Sequence, residues 1–475
     1  MRPIERHISE ALGDGAPGSH IVGGAIRDLF LDLVPEDFDI VVPVNPKKYA
    51  AVIAARLNGK HISLGKPGFE LERVVAGGRH YDICRINGRT ISEDLDRRDF
   101  TINAMAWDLS AGELIDPCNG MEDLTNRKIR MVSSEGLAQD PVRLLRAFRL
   151  AASLDFTVES KTLSTITSHS SKLAHAPGER LRSELIKFLS SKESASHMDD
   201  MVSTGLLEEL FPELRATRGC HPNGHQSTDV FTHTLSAYRH LEKILKSPSA
   251  FFPHHHAIVE DRLPPMGQAI VKLAVLLHGI GKPSIRFATV NSGTKTPDCE
   301  TAAAALVIAI GKRLRWSRLE ADQVSLIVSQ HLSPLRLFDR QQNGLPHADA
   351  TFRFFWEANS LTPHVCLHSA ANVAAKQSDS DVSVQQFFGF VDTLLDRFET
   401  RFIGIHRDGR PILSGRDIMS RFGLPPSPLI GQILFRVEEA RFSGIVRERD
   451  EAISAVEQWL TMGFKGSSPP PKGPA

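Results

Sequence analysis

The stretch IVGGAIRDLFLDLVPEDFDIVV, residues 21–42, constrains this chain more than any other. It reads as a short apolar strand, a Gly-Gly turn, a helix carrying Arg27, and a second strand that opens Asp37-Phe38-Asp39. Side chains alternate between the two faces of a strand, so Asp37 and Asp39 share one face while Phe38 and Ile40 take the other. Neighbouring carboxylates repel each other unless a cation lies between them. Mg²⁺ prefers hard oxygen ligands and commonly takes one or two carboxylates completed by substrate phosphates. A pair of such ions can activate an attacking oxygen and stabilise a leaving one. Just upstream, Gly23 and Gly24 let the backbone approach a phosphate closely, the helix start offers free N–H groups, and Arg27 adds a guanidinium. A Gly-Gly turn alone is mostly structural, and a lone DxD is mostly a solvated loop or cap. The ordered combination is what points to a nucleoside triphosphate.

Composition narrows the setting. A chain of 475 residues with 41% hydrophobic content can build several packed cores. Its formal net charge of zero argues against binding nucleic acid by bulk charge, while a local basic groove stays open. Cys84, Cys118, Cys220, Cys299 and Cys366 are scattered, with no CxxC pair, which is poor material for a disulfide framework or a zinc site. The start, MRPIERHISEALGDG, has acids and no apolar core, so it does not read as a secretory signal. No uninterrupted apolar run is long enough for a bilayer, and VKLAVLLHGIG reads as a buried helix. A reducing, cytoplasmic protein without membrane contact is expected.

The expected fold class is α+β. A mixed sheet with helices occupies residues 1–138: SHIVGG and FDIVVPV as strands, AIRDLFLDL as a helix, and FELERVVA with RHYDICRI as a hairpin turning at Gly77-Gly78. From about residue 139 the pattern is expected to become helical and stay so. A helical region spans 139–215, a larger helical domain 216–400, a last helical region 401–464, and a Pro/Gly/Ser-rich disordered tail 465–475.

With those residues in view, the chain resembles the DNA polymerase β-like nucleotidyltransferases, and within them the class II CCA-adding enzymes and bacterial poly(A) polymerases. RRDFTINAMAWD (97–108) is similar to the family's ribose-binding motif and IDPCNGMEDLTNRKIR (115–130) to its connecting motif. QDPVRLLRAFRLAA (139–152) is similar to the base-reading motif, and GERLRSEL (178–185) to a later helix motif. The resemblance covers roughly residues 20 to 340, with further likeness at PILSGRDIM and GLPPSPLIGQIL. It implies a polymerase β-like head followed by an all-α body. It also implies that Asp37 and Asp39 hold Mg²⁺ and that Gly23, Gly24 and Arg27 hold the triphosphate. Arg98 and Asp99, supported by Asn103, would meet the sugar. Asp140 and Arg143 would read the base, and Arg146 would extend their face toward phosphates. On a helix Asp140 and Arg143 lie three apart and face the same way; a plain surface ion pair is the bland alternative. Asp82 is either a third acid of the site or an edge-strand charge. Gln139 stands where the family's motif usually has Glu.

Members that add a full CCA carry a loop of some length between the equivalents of YDICR and ISEDL. Here only INGRT intervenes. That resembles the CC-adding subtype, with a separate enzyme supplying the last A; a short loop compensated elsewhere is the alternative. The reaction implied is template-independent transfer from CTP, or CTP and ATP, to the tRNA 3′ end with release of pyrophosphate. Poly(A) polymerase is the second reading, which the neutral, Pro-rich tail disfavours. A catalytically silent RNA-binding protein is another, disfavoured by the intact DxD and RRD motifs.

Behind the head, VFTHTLSAY, LLHGIGKP and SQHLSP follow the order of an HD-type phosphohydrolase. His233, His278 and His331 survive, but Gly279 replaces the defining Asp, and Asp298-Cys299-Glu300 stands where a GHE sequence is common. Three imidazoles can still bind a transition metal, yet the lost carboxylate favours an inactive, structural or RNA-contacting domain over a hydrolase. His254-His255-His256 reads as an exposed loop.

Overall fold

The computed structural model describes residues 18–64, 70–221, 228–284, 298–345, 348–376, 382–405 and 411–463. The start of the chain and the tail at 465–475 lie outside the described residues. Two compact units emerge, one running to residue 188 and including 196–210, the other made of 189–195 and the chain from 211 onward. The sheet region and the helices up to residue 188 thus share one unit.

The first unit is built on a seven-stranded sheet of order β3-β4-β5-β2-β1-β6-β7. Its strands are β1 (His20–Val22), β2 (Asp37–Val42), β3 (Lys60–Ser63), β4 (Leu71–Ala76), β5 (Arg79–Arg85), β6 (Ala106–Asp108) and β7 (Glu113–Ile115). β1 is antiparallel to β2 and β6, whereas β2 and β5 run parallel. Ile21, Val22, Ile40, Val42, Val74 and Ile83 are fully buried and form the sheet's core. The hairpin β4–β5 turns at Gly77 and Gly78, both at positive φ, as a two-residue turn between right-twisted strands requires. Because β5 lies inside the sheet, the reading of Asp82 as an edge-strand charge is wrong. Helix α1 (Gly24–Phe30) links β1 to β2, and α2 (Pro46–Arg56) links β2 to β3. Sequence reasoning assigned neither α2 nor β3.

Helices α3 (Ile91–Leu95), α4 (Gly120–Thr125), α5 (Ser134–Gln139), α6 (Val142–Leu154), α7 (Ser160–His169) and α8 (Gly178–Leu189) follow. The helical pattern begins at Ser134, not 139. It is interrupted once, where β8 (Lys128–Ile129) pairs in parallel with β9 (Thr157–Val158). α6 buries Leu144, Leu145, Phe148 and Ala151 on one face, the periodicity that makes QDPVRLLRAFRLAA legible as a helix.

The described part of the second unit is all helical. Its centre holds α9 (Val230–Lys246), α10 (Pro265–Leu277), α11 (Arg318–Gln330) and α12 (Thr362–Ala374), whose residues are all buried. α10 is the helix expected from VKLAVLLHGIG; Ala269 to Leu277 are buried along it. Lys272 is fully buried too, and its ammonium donates to Glu242 Oε1 (2.7 Å), Ser194 Oγ (2.9 Å) and the Ser191 carbonyl (2.6 Å). A buried charge survives only with such complete pairing.

The imidazoles of His233, His278 and His331 meet as the sequence order implies, and His368 of α12 joins them. Ring centroids lie 5.6 Å apart for His233–His278, 5.2 Å for His278–His331 and 4.8 Å for His331–His368. Yet no trio of His, Cys, Asp or Glu among the described residues is arranged to hold a metal. At Gly279 the position of the missing carboxylate is closed: a Cβ there would come 2.5 Å from Val230 Cγ1. His255 is not a free loop residue, because its Nδ1 lies 3.0 Å from Asp392 Oδ1 and its Nε2 3.4 Å from Asp396 Oδ1. Leu413, Ile418, Ile433, Val437 and Val456 form a further core near the carboxy terminus, with Ser414 of the SGRDIM motif capping its first helix. Among the described residues, no single helix is long and apolar enough to cross a membrane.

Candidate active site

A cleft of about 1100 Å³ opens in the first unit, lined by the turn after β1 and by residues from α1, β2, β5, α3, α6 and α8. Its floor is the turn after β1. Gly23 has φ +77° and ψ −139°, a conformation that side chains with a Cβ avoid. A methyl group there would lie 2.8 Å from Arg98 Nη1 and 3.4 Å from Asp39 Oδ2. Glycine at 23 therefore lets backbone, guanidinium and carboxylate meet at one point.

The parallel register of β2 and β5 sets Asp39 beside Asp82 and Asp37 beside His80. Phe38 and Ile40 are buried behind them, so the alternation expected from DFDI holds. Asp37 is open to solvent, with its Oδ1 2.9 Å from His80 Nδ1. Asp82 is held by a fork from Arg73, Nε to Oδ1 at 2.6 Å and Nη2 to Oδ2 at 2.7 Å. Asp39 remains accessible to water but sits at a crowded floor. Desolvation there, reinforced by the charges of Asp82 and Asp37 and partly offset by Arg98, pushes its pKa above the usual carboxylate range. A carboxylate so placed is relieved by a cation. The donor set of two hard-oxygen side chains fits a divalent ion whose remaining ligands come from phosphate and water. Asp82 is already committed to Arg73.

Behind the floor runs a chain of buried polar contacts. Arg27 binds Asp28 Oδ1 through Nη2 (2.6 Å) and donates from Nη1 to Asn103 Oδ1 (2.7 Å). Asn103 Nδ2 donates to Asp99 Oδ1 (3.0 Å), and Arg146 Nη1 donates to Asp99 Oδ2 (2.9 Å). Arg146 Nε and Arg149 Nε then share the two oxygens of Glu184, at 2.9 and 3.0 Å. Burial disfavours charge on Asp99, but Arg146, Asn103 and the Phe100 N–H outweigh it and hold its pKa below the ordinary value. Arg146 thus does not stand free to extend the base-reading face toward phosphates; two of its nitrogens are engaged.

Asp140 and Arg143 are neighbours, but not as two positions on one helix. Asp140 has left α5 and precedes α6, with φ −127° and ψ 88°. Both its oxygens accept from Arg180, at 3.0 and 2.7 Å. Burial opposes its ionisation, while Arg180 and Arg143 prevail and lower its pKa. Arg143 Nη1 donates to the carbonyls of Arg97 (3.0 Å) and Gly136 (3.2 Å). Its Nε lies 3.7 Å from Asp140 Oδ2, buried and without an acceptor. One buried donor beside an acceptor-only carboxylate is an unfilled hydrogen-bonding position.

Asp37, Asp39, Asp82, Arg27, Arg98, Asp99, Asn103, Asp140, Arg143 and Arg146 are expected from the sequence, whereas Arg180, Glu184 and the cleft residue Asp94 are not. The signal lay in ERLRSEL, where Arg180 and Glu184 are four apart on the helix facing the cleft. The INGRT connection, residues 86–90, joins β5 to α3 with no secondary structure of its own. It is folded onto α3: the Asn87 N–H donates to Asp94 Oδ1 (2.8 Å) and the Arg89 N–H to Glu93 Oε2 (2.9 Å).

Comparison with known proteins decides the family. Residues 19–130 match the poly A polymerase head domain, and residues 155–217 match the probable RNA and SrmB-binding site of polymerase A. A multifunctional CCA protein of Legionella pneumophila is 30% identical over 348 residues, covering 68% of this chain and 77% of that protein. The chain belongs to the CCA-adding tRNA nucleotidyltransferase family. It is therefore an enzyme of the nucleotidyltransferase class, in a family that generally depends on divalent metal ions. An A-adding tRNA nucleotidyltransferase of Deinococcus radiodurans is 29% identical, with 93% of this chain and 96% of that protein aligned. A CC-adding tRNA nucleotidyltransferase of Geobacter sulfurreducens is also 29% identical, with 95% and 94% aligned. A Thermotoga maritima CCA-adding enzyme complexed with tRNA shares the fold at TM-score 0.60 and 23% identity, over 93% of this chain and 91% of that one. The α+β architecture of sheet head and helical body is that of CCA-adding enzymes.

Proposed function

We propose that this chain adds two cytidines to the 3′ end of tRNA from CTP, releasing pyrophosphate, and leaves the last A to a partner enzyme. The observation that carries the CC-adding reading is the β5–α3 connection, five residues long and bound to α3 by Asp94 and Glu93. The A-adding relative of Deinococcus radiodurans and the CC-adding relative of Geobacter sulfurreducens are each 29% identical, so the subtype rests on this local structure rather than on overall likeness.

Each site residue has a role in the reading. Asp37 and Asp39 hold Mg²⁺, which when bound makes the RNA 3′-hydroxyl more acidic and neutralises charge on the triphosphate. Gly23 gives the α-phosphate room to approach the floor, with Gly24 and Arg27 flanking the phosphates. Arg98 meets the sugar, and the Asn103–Asp99–Arg146 chain keeps that wall of the cleft fixed. Fixed dipoles and charges cost no reorganisation during transfer. Asp140 is ionised and accepts the exocyclic amine of cytosine, while the unfilled Nε–H of Arg143 donates to the ring nitrogen. Uracil and guanine present a carbonyl where cytosine and adenine present an amine, so an acceptor-only carboxylate rejects them. Helices of the body track the tRNA by backbone and shape, as A-form RNA requires. The second unit carries no hydrolytic activity in this reading, which the closed position at Gly279 supports.

The test is nucleotide incorporation into a tRNA ending at its discriminator base, with Mg²⁺ and CTP, ATP or both. Two added cytidines and no adenosine are expected. A complete CCA rejects the subtype and keeps the family; long A-tails on unrelated RNA turn the reading toward poly(A) polymerase.

A further inference from the structure

Asp94 belongs to none of the motifs that define the nucleotide site, yet it is one of the most buried acids of the cleft, at 6% exposure. A carboxylate is retained at such a place only if both oxygens are well paired. The two oxygens of Asp94 serve different parts of the molecule. Oδ2 accepts from Arg98, Nη2 at 3.1 Å and Nε at 3.3 Å. Oδ1 accepts the backbone N–H of Asn87, in the β5–α3 connection, at 2.8 Å. Two further contacts lie beside it: Arg97 Nη1 donates to Asn87 Oδ1 (2.9 Å), and Gly88, at φ +141°, packs where a Cβ would be 2.8 Å from Glu93 Cβ. The guanidinium that Asp94 grips is the one whose Nη1 approaches Gly23 and Asp39 at the cleft floor.

We propose that Asp94 is a positioning residue that couples the β5–α3 connection to Arg98, so that the seating of this connection sets where Arg98 meets the nucleotide's sugar. This coupling rests on the cleft being a CTP site. The connection acts on the nucleotide through one carboxylate rather than by touching it. Fixing the guanidinium by two hydrogen bonds selects one orientation of a long, flexible side chain, and misplacing it by about 1 Å is enough to cost roughly a hundredfold in favourable cases.

The experiment compares CTP with 2′-deoxy-CTP as substrates on a tRNA ending at its discriminator base, for the full chain and for Asp94→Asn. An asparagine can keep the Asn87 bond but offers Arg98 an N–H in place of an acceptor. The ratio of kcat/KM for CTP over dCTP is expected to fall about tenfold, with KM for CTP rising and kcat changing little, the pattern of a lost ground-state contact. Adding Asp94→Asn to Arg98→Ala should then change this ratio no further, because the two act as one unit. If Asp94→Asn does not fold, Asn87→Pro serves instead: this exposed position loses its N–H donor, and the same ratio should fall. A ratio unchanged in a folded Asp94→Asn or in Asn87→Pro, or full additivity with Arg98→Ala, overturns the coupling. An unmodified chain that uses no CTP at all would instead remove the CTP-site reading, and with it the premise.

Discussion

In the proposed reading, Asp39 holds the metal at the floor of the cleft. Its pKa is raised because it is desolvated beside Asp82 and Asp37. The sign follows directly. A group whose folded pKa exceeds its unfolded one favours folding at pH values below the unfolded pKa, and loses that contribution as pH rises through the folded pKa. At neutral pH the metal-free fold therefore bears an unfavourable charge at Asp39. Asp39→Asn should raise the melting temperature of the metal-free protein, measured by calorimetry in a chelating buffer. It should also lower CMP transfer at least roughly a thousandfold, the scale on which losing a charge-stabilising group at a reaction centre is felt. Addition of Mg²⁺ and CTP should raise the melting temperature of the natural protein more than that of the variant. Asp140 yields a prediction about selectivity. Asp140→Asn supplies an N–H donor where only acceptors stood, so the preference for CTP over UTP should drop by about tenfold to a hundredfold, read from competing incorporation of the two nucleotides. The DxD pair and the Gly23 turn were legible because their spacing is local. Asp94 and Glu184 were not, because their meaning comes from partners that only the fold supplies.

At the level of elements, the strands that align with apolar runs and the hairpin at Gly77-Gly78 were readable from alternation and turn chemistry. α2 escaped because its apolar residues are mainly alanines and it buries little beyond Pro46, Ala50 and Ile53. β3 escaped because it is a short edge strand with no fully buried residue. The placement of Asp140 was misread because periodicity runs on through Pro141, while the proline breaks α5 from α6 there. The four-histidine core of the second unit makes a prediction of its own. Burial lowers His233 to about 4 and His331 to about 3, and holds His278 and His368 well below the ordinary value. The unfolded chain takes up protons from about pH 6.5 downward while the folded one does not, so stability is full above that pH and falls between about 6.5 and 4. Denaturant midpoints across this range should decrease as the pH is lowered, and replacing His331 with Asn or Gln should flatten the dependence. Restoring the HD aspartate by Gly279→Asp should not recover a hydrolase. It drives a side chain into Val230 and should cost at least about 1–3 kcal/mol of stability, visible in the same unfolding curves.

For the whole molecule, a formal net charge of zero is matched inside the cleft, where basic and acidic side chains are equal in number. Arg27, Arg97, Arg98, Arg143, Arg146, Arg149 and Lys187 line one cleft, with acids that hold most of them in place. In the proposed reading those basic groups meet the phosphates of the substrate, so the apparent affinity for tRNA should fall as salt rises, and the uncharged chain should hold unrelated nucleic acids more weakly. Bulk composition could exclude a simple electrostatic binder, but the chain of contacts from Arg27 through Asn103, Asp99 and Arg146 to Glu184 joins residues far apart in sequence. No spacing rule announces such a chain. What links the scales is the claim that Asp37 and Asp39 seat a divalent ion against the α-phosphate of CTP. Its most direct test is a crystal structure with CTP and Mg²⁺ or Mn²⁺. The account predicts an ion about 2.0–2.2 Å from oxygens of both aspartates and from the α-phosphate, with the sugar against Arg98. CTP bound elsewhere, or bound in the cleft with both carboxylates turned away and no ion between them, would contradict it.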